Sequence, residues 1–267
     1  MATVSLDFTI MTELLDTQVD RAARLLGGAE RIVVLTGAGI STDSGIPDYR
    51  GPNGLWTKNP LAEKTSTLSH YLNDRAVRQF AWQTRVNSPA WIAEPNAGHR
   101  ALVDLERGAN LHALVTQNID ELHQRAGSDP DKVVEVHGTM RRYHCWTCQD
   151  EGPMEVMLDR VRPGEDDPAC LLCGGVVKSA TISFGQSLVP EVIARALRTA
   201  EEADVLLAVG TSLKVYPIKN MIPRARAAGA TVIIVNGEPT AMDHLAHHVL
   251  TGSTSELLPA ICGPKPN

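Results

Sequence analysis

Aromatic side chains are scarce, with three Phe, four Tyr and four Trp among 267 residues. A core built from this chain must rest on Val, Leu, Ile and Ala. Positive charge is not in surplus either: the formal net charge is −6, which argues against a broad nucleic-acid or membrane-binding face. No uninterrupted apolar run approaches the ~20 residues that span a bilayer. Asp7, Glu13 and Asp16 stand where a secretory signal would carry a basic stretch before an apolar one, so no such signal is expected. Internal repeats, low-complexity tracts and coiled-coil heptads are also missing, which leaves a monomer as the expectation. The extreme ends are expected to fray. What remains is the composition of one ordinary globular domain, or of one domain with an insert.

Cysteine is sparse too, but it is not scattered. Four of the five stand in two tight pairs, Cys145-Trp-Thr-Cys148 and Cys170-Leu-Leu-Cys173, with 21 residues between the pairs. Two such knuckles supply four thiolates for tetrahedral zinc. Free core thiols or two disulfides are the alternatives, and the paired spacing favours zinc. Four protein ligands leave no open coordination position, so this metal holds structure and the chemistry lies elsewhere. Paired zinc-type cysteines with one odd Cys262, in an apolar run, suit a reducing cytoplasm.

Short runs of aliphatic residues mark the strands: 31–36, 111–116, 132–136, 204–209 and 230–235. Runs this apolar read as strands covered on both faces. Helical stretches lie before and between them at 16–26, 96–107, 190–203 and 218–228. Alternation of this kind gives an α/β fold with an open, doubly wound parallel sheet. Ligands in such sheets sit beyond the carboxyl ends of strands. Those ends read Gly37-Ala38-Gly39, Gln117-Asn118-Ile119-Asp120, His137-Gly138, Gly210-Thr211-Ser212 and Asn236-Gly237, all small or polar. Their convergence points to one nucleotide cleft. The turn Gly37–Ser41 follows a strand as a phosphate loop does, although Thr42 stands where the usual fingerprint has a third glycine. A tight strand-to-helix turn is the plainer alternative. Turn capping is the plainer alternative for Asn118 and Asp120, as a structural role is for His137. The imidazole of His137 nonetheless suits proton abstraction near neutral pH. Two stretches, 46–95 and 138–183, break the alternation and predict a smaller module inserted into the sheet domain, with zinc compensating for a small core.

These motifs, together with Ser44–Gly51, Phe184-Gly185 and Val235-Asn236, occur in the order found in sirtuins, the NAD-dependent protein deacylases, and the resemblance spans about residues 20–260. It implies a Rossmann-like NAD-binding domain formed by 13–45, 96–137 and 184–262. A small module of 46–95 and 138–183 would carry a four-cysteine zinc ribbon (Cys145, Cys148, Cys170 and Cys173) and a helical part. By this resemblance NAD is a consumed co-substrate. The amide oxygen of an acyl-lysine protein attacks the nicotinamide ribose, nicotinamide leaves, and water completes the route to free lysine and O-acyl-ADP-ribose. His137 matches the general base. Asn118 and Asp120 match the residues that order the ribose and nicotinamide pocket. Gly37, Ala38, Gly39, Ser41, Asp48, Tyr49, Arg50, Trp56, Gln117, Gly210, Thr211, Ser212, Asn236, Gly237, Ser253 and Thr254 match the rest of the cofactor site. Phe184, Gly185, Leu213 and Val215 match the strands that sandwich the substrate peptide. The short ends resemble a bare catalytic core of bacterial type.

Departures bear on the peptide and the acyl group. Val177–Ser183 lacks a frequent proline, and Gln186 replaces a frequent Glu. Sirtuins specialised for acidic acyl groups carry a Tyr-x-x-Arg pair where this chain aligns Ala81 and Thr84, with Arg85 one position away. Acetyl or another neutral acyl group is therefore expected. Longer or acidic acyl groups, mono-ADP-ribosyl transfer to protein, and a non-enzymatic NAD-sensing module remain as alternatives.

Overall fold

The computed structural model describes residues 17–48, 60–108 and 110–263, with backbone alone for 60–62. Six strands form the main sheet: β1 (Ile32–Thr36), β2 (Leu111–Thr116), β3 (Val133–Glu135), β7 (Val205–Val209), β8 (Thr231–Asn236) and β9 (His248–Thr251). Their order is β3-β2-β1-β7-β8-β9 and every pairing is parallel. The five expected strands are present within a residue or two of their expected bounds. β9 is an addition: its flanking histidines hide it among polar residues.

Period-2 alternation divides the sheet cleanly. Ile32, Val34, Leu207, Ile233 and Val235 face one side, where Leu26, Leu102, Leu105, Leu257 and Ile261 come from helices at 17–28, Ala97–Arg107 and Thr254–Cys262. Val33, Leu35, Leu206, Ala208 and Ile234 face the other side. There Ala196, Ala200, Met221, Ile222 and Ala225 come from helices Pro190–Glu202 and Met221–Ala227. Burial on both faces is why these strands lack polar alternation. Asp204 fixes the sheet's amino end, accepting from the Glu30 and Arg31 N–H groups at 3.1 and 2.9 Å.

The small module has its own sheet, in which β4 (Gly138–Cys145) lies between β5 (Glu151–Pro153) and β6 (Val177–Thr181), all antiparallel. Its core draws from both excursions of the chain: Trp82 of helix Arg75–Val86 packs with Tyr143, Met154, Met157, Leu158, Val161 and Val177. An ion-pair clamp adds to this, since Arg78 grips Asp167 through Nε and a terminal nitrogen at 3.0 and 2.9 Å. Lys178 is buried without a carboxylate partner among the described residues. Its ammonium donates to Ser179 O at 2.9 Å and Thr181 O at 2.5 Å, carbonyls of β6 turned away from β4, and Tyr71 Oη donates to Val177 O at 2.9 Å. The open edge of β6 is thereby closed to further strand pairing. Burial, with Arg85 nearby, lowers the Lys178 ammonium to about 8.

Candidate active site

The carboxyl ends of β1, β2, β3 and β7 meet in a polar network. Gln117 Nε2 donates to Thr36 O at 3.2 Å and to Thr211 Oγ1 at 3.0 Å, bridging three strand ends. Asn118 Nδ2 donates to Gly37 O at 3.2 Å and Ser41 Oγ at 3.1 Å. Ser41 Oγ in turn donates to Asp120 Oδ2 at 2.8 Å, and the other carboxylate oxygen accepts from the Leu122 N–H at 3.0 Å. Ser41, Asn118 and Asp120 are all buried. Burial raises the Asp120 carboxyl, while the Leu122 and Ser41 bonds pull it back.

His137 follows β3 and its Nδ1 lies 3.0 Å from Gln117 O. A carbonyl only accepts, so the proton belongs on Nδ1 and Nε2 is the basic nitrogen. This is the tautomer a general base needs. Residue 137 is thus held by the loop that carries Asn118 and Asp120.

The glycines act differently from a simple phosphate cradle. Gly37 N–H donates to Val209 O at 3.0 Å and Gly39 N–H to Gly210 O at 2.8 Å, so both are committed to β7 and its turn. A Cβ on Gly39 would stand 2.8 Å from Gly210 Cα, and one on Gly37 would stand 2.8 Å from Thr211 Cβ. The glycines let the β1 and β7 turns touch. Ser253 and Thr254 arrive at the same loop, through Ser253 Oγ to Asp43 Oδ2 at 3.0 Å and Thr254 Oγ1 to Gly39 O at 3.4 Å. Asn236 turns its amide into its own turn, donating to Glu238 O at 2.6 Å. Ala38, Asp48, Ser212 and Gly237 are partly or fully exposed around these turns. Tyr49, Arg50 and Trp56 lie outside the described residues.

Of the residues expected to meet a peptide, Phe184 is 42% exposed and its backbone pairs with Ser66 O and Leu68 N at 2.8 and 2.9 Å. Gly185 follows with φ 80. Leu213 has its side chain buried in the core and φ 53. Its N–H donates to Thr211 Oγ1 at 3.3 Å. Val215 is partly buried and Tyr216 is exposed beside it. Arg85 points into the small module, 4.5 Å over the Trp82 ring and 3.4 Å from Ser179 Oγ.

Two buried histidines beneath the network escape sequence reasoning. His99 Nδ1 accepts from the Asn96 N–H at 3.3 Å in a capping box, which directs its Nε2–H at Ser41 Oγ, 3.5 Å away. His123 Nε2 meets Thr36 Oγ1 at 2.9 Å, and Thr36 passes its proton to Thr116 Oγ1 at 2.8 Å. The rings lie 5.0 Å apart. Burial lowers His99 to about 4 and His123 well below its ordinary value, so both are neutral. The signal available was Asn96-x-x-His99, an N-cap with a side chain three residues on.

The cysteines form one group. Their four sulfurs lie within 4.8 Å of one another, with Cys145–Cys173 at 3.6 Å and Cys148–Cys170 at 3.7 Å. Disulfide sulfurs would be ~2.0 Å apart. A zinc–sulfur bond of ~2.3 Å gives tetrahedral edges of about 3.8 Å, so the arrangement fits zinc and no disulfide.

The Sir2 family model matches residues 37–217. This chain belongs to the Sir2 family. It is 48% identical over 234 residues to NAD-dependent protein deacetylase 2 of Streptomyces coelicolor, covering 88% of this chain and 97% of that protein. With NAD-dependent protein deacylase 2 of Archaeoglobus fulgidus it shares 38% identity over 92% of this chain and 96% of the relative. Among solved Sir2 structures, one describing the mechanism and regulation of Sir2 enzymes superposes with a TM-score of 0.84 at 37% identity, covering 92% and 97% of the two chains. Another, a Sir2 complex with a deacetylated peptide and 3′-O-acetyl-ADP-ribose, gives 0.84 at 30% identity over 91% and 97%. No helix among the described residues of this Sir2 protein is long and apolar enough to cross a membrane.

Proposed function

We propose that this chain is an NAD-dependent protein lysine deacetylase that moves an acetyl or other neutral acyl group from lysine to ADP-ribose and releases nicotinamide. The observation that carries the reading is the His137 tautomer, its proton held on Nδ1 by the Gln117 carbonyl of the loop that bears Asn118 and Asp120. NAD supplies the ribose carbon that captures the amide oxygen and the hydroxyl that receives the acyl group. In this reading His137 Nε2 accepts the proton of that hydroxyl. Asn118, Ser41 and Asp120, bonded to one another, order the ribose and nicotinamide end, and Gln117 and Thr211 bridge the cleft floor. Gly37–Gly39, Gly210–Ser212, Asn236, Gly237, Ser253 and Thr254 line the nucleotide side.

We assign 13–45, 96–137 and 184–262 to the NAD-binding domain, and 46–95 with 138–183 to the small module. The shared core around Trp82 supports joining the two excursions. An acyl-lysine peptide adds as a strand between Phe184-Gly185 and the main chain of Leu213–Val215. A neutral acyl group is favoured because Arg85 is engaged with Trp82 and Ser179. Zinc thiolates suit a cytoplasmic setting.

The test is nicotinamide release from adenine-labelled NAD, with and without an acetyl-lysine peptide, on wild type and His137→Ala. Peptide-dependent release, label in O-acetyl-ADP-ribose and a fall of ~100-fold or more in the variant are expected. Label retained on protein would replace the reading with ADP-ribosyl transfer.

A further inference from the structure

Glu121 stands between Asp120 and the short helix Leu122–Ala126 with φ 61 and ψ 19. This left-handed region suits glycine, whereas a β-carbon makes it unfavourable. The side chain does not compensate by capping the helix it precedes, since it makes no capping bond, and the Leu122 N–H goes to Asp120. Its electrostatic surroundings are mixed: the Arg141 guanidinium attracts it and a neighbouring carboxyl opposes it. Burial pushes the nearby Glu135 carboxyl up to about 7, and the Glu121 and Asp120 charges add to that. Helix capping therefore gives no reason for glutamate here.

What Glu121 does hold is Thr139. Thr139 Oγ1 donates to Glu121 Oε1 at 2.7 Å and accepts from the Arg141 N–H at 3.1 Å, so the hydroxyl proton is aimed at the carboxylate. Thr139 is buried and is two residues beyond His137, just after Gly138 with its φ of 71. Two further bonds join the same segments: His137 Nδ1 to Gln117 O at 3.0 Å, and Met140 N–H to Ile119 O at 2.9 Å. Both of those end on backbone carbonyls of the 117–121 loop. The Glu121–Thr139 bond differs because it joins side chain to side chain, and it depends on the left-handed backbone at 121 to aim the carboxylate.

We propose that Glu121 is a positioning residue: with Thr139 it forms a strut that sets the spacing between His137 and the Asn118–Asp120 pair. The role rests on the active-site reading above. It explains why an unfavourable backbone carries a glutamate one residue from a buried aspartate, as strain held at functional sites often does.

Glu121→Gly relieves the backbone and removes the strut, Glu121→Gln keeps an acceptor oxygen for Thr139, and Thr139→Val removes the donor. Each is compared with wild type for acetyl-peptide turnover, exchange of labelled nicotinamide into NAD, and thermal midpoint. The expected result for Glu121→Gly is an unchanged or raised midpoint and a kcat lower by about tenfold, with KM values within about twofold, because misplacement by a fraction of an ångström degrades an oriented step. Nicotinamide exchange, which precedes the step served by His137, falls less than product formation. Glu121→Gln stays near wild type and Thr139→Val follows Glu121→Gly. A Glu121→Gly enzyme with kcat within about twofold of wild type overturns the strut. So does an equal loss in Glu121→Gln, which would mark a charge effect, or a loss explained by a lower midpoint. Wild type without peptide-dependent nicotinamide release would sink the functional reading itself and the strut with it; failure of the strut alone leaves wild-type turnover intact.

Discussion

His99 makes the folded chain sensitive to acid at its active site. Its Nδ1 accepts from the Asn96 N–H, so a proton added there would set a donor against a donor. Burial lowers the ring from 6.5 to about 4. Between those values the unfolded chain carries the proton and the folded chain does not. Stability therefore rises with pH across that window and is lost as pH falls from about 6.5 to about 4. A window of that width, at about 1.4 kcal/mol for each pH unit, gives about 3 kcal/mol lost by its lower end. His99→Gln isolates this term, because glutamine three residues after an N-cap closes the same capping box without titrating. Urea unfolding of both proteins at intervals from about pH 7 to about pH 4 is the assay. The two are expected to agree within about 1 kcal/mol near neutrality and to diverge by about 3 kcal/mol at the acid end, wild type falling faster. Acid release of zinc affects both equally and drops out of the difference, whereas His123, 5.0 Å away and lowered in part by the His99 charge, keeps a smaller contribution within it. Parallel curves over the whole range would refute the assignment of a buried, obligatorily neutral imidazole to position 99.

Two further perturbations follow from the same geometry. Cys145→Ser removes one sulfur from the cluster inside the small module's core, so loss of metal and a thermal midpoint lower by ~10 °C or more are expected from zinc content and melting; an unchanged midpoint with the metal gone would contradict a structural role. Gly39→Ala forces a methyl to 2.8 Å from backbone atoms of Gly210, which should cost about 1–3 kcal/mol in urea unfolding and weaken NAD in titration calorimetry; wild-type stability would show that the two turns can part.

The sheet was readable because its strands are buried on both faces, and runs such as Ile32–Leu35 and Leu206–Val209 carry that fact in composition alone. The zinc cluster was readable because ligand spacing is local. His99 and His123 were not, since an apolar helix face does not announce which polar atom of another strand it will meet. The left-handed turn that buries Leu213 carries no sign in the sequence. The glycine turn was legible as a close approach, but the approach is first to Gly210, a partner 171 positions away by subtraction of the two numbers. The terminal helix Thr254–Cys262 was obscured by Pro259 within it. Lys178, a buried charge in the strand Val177–Thr181, makes sense only once the carbonyls of its own strand are seen to accept from it.

The single core shared by Trp82 and the ribbon has a consequence for a chain emerging from the ribosome. Helix Arg75–Val86 is synthesised long before Met154, Met157, Leu158 and Val177, the residues that enclose its indole. Until Val177 has left the exit tunnel, Trp82 lacks its complete native cover, and until Cys170 and Cys173 have emerged the metal cage cannot close. At translation speeds of about 5–20 residues per second that interval lasts some seconds, during which an amphipathic helix waits with its indole uncovered. Zinc supply and the pace of synthesis through the stretch 82–177 therefore act together on the yield of folded protein, a dependence set by chain order and not by the finished structure.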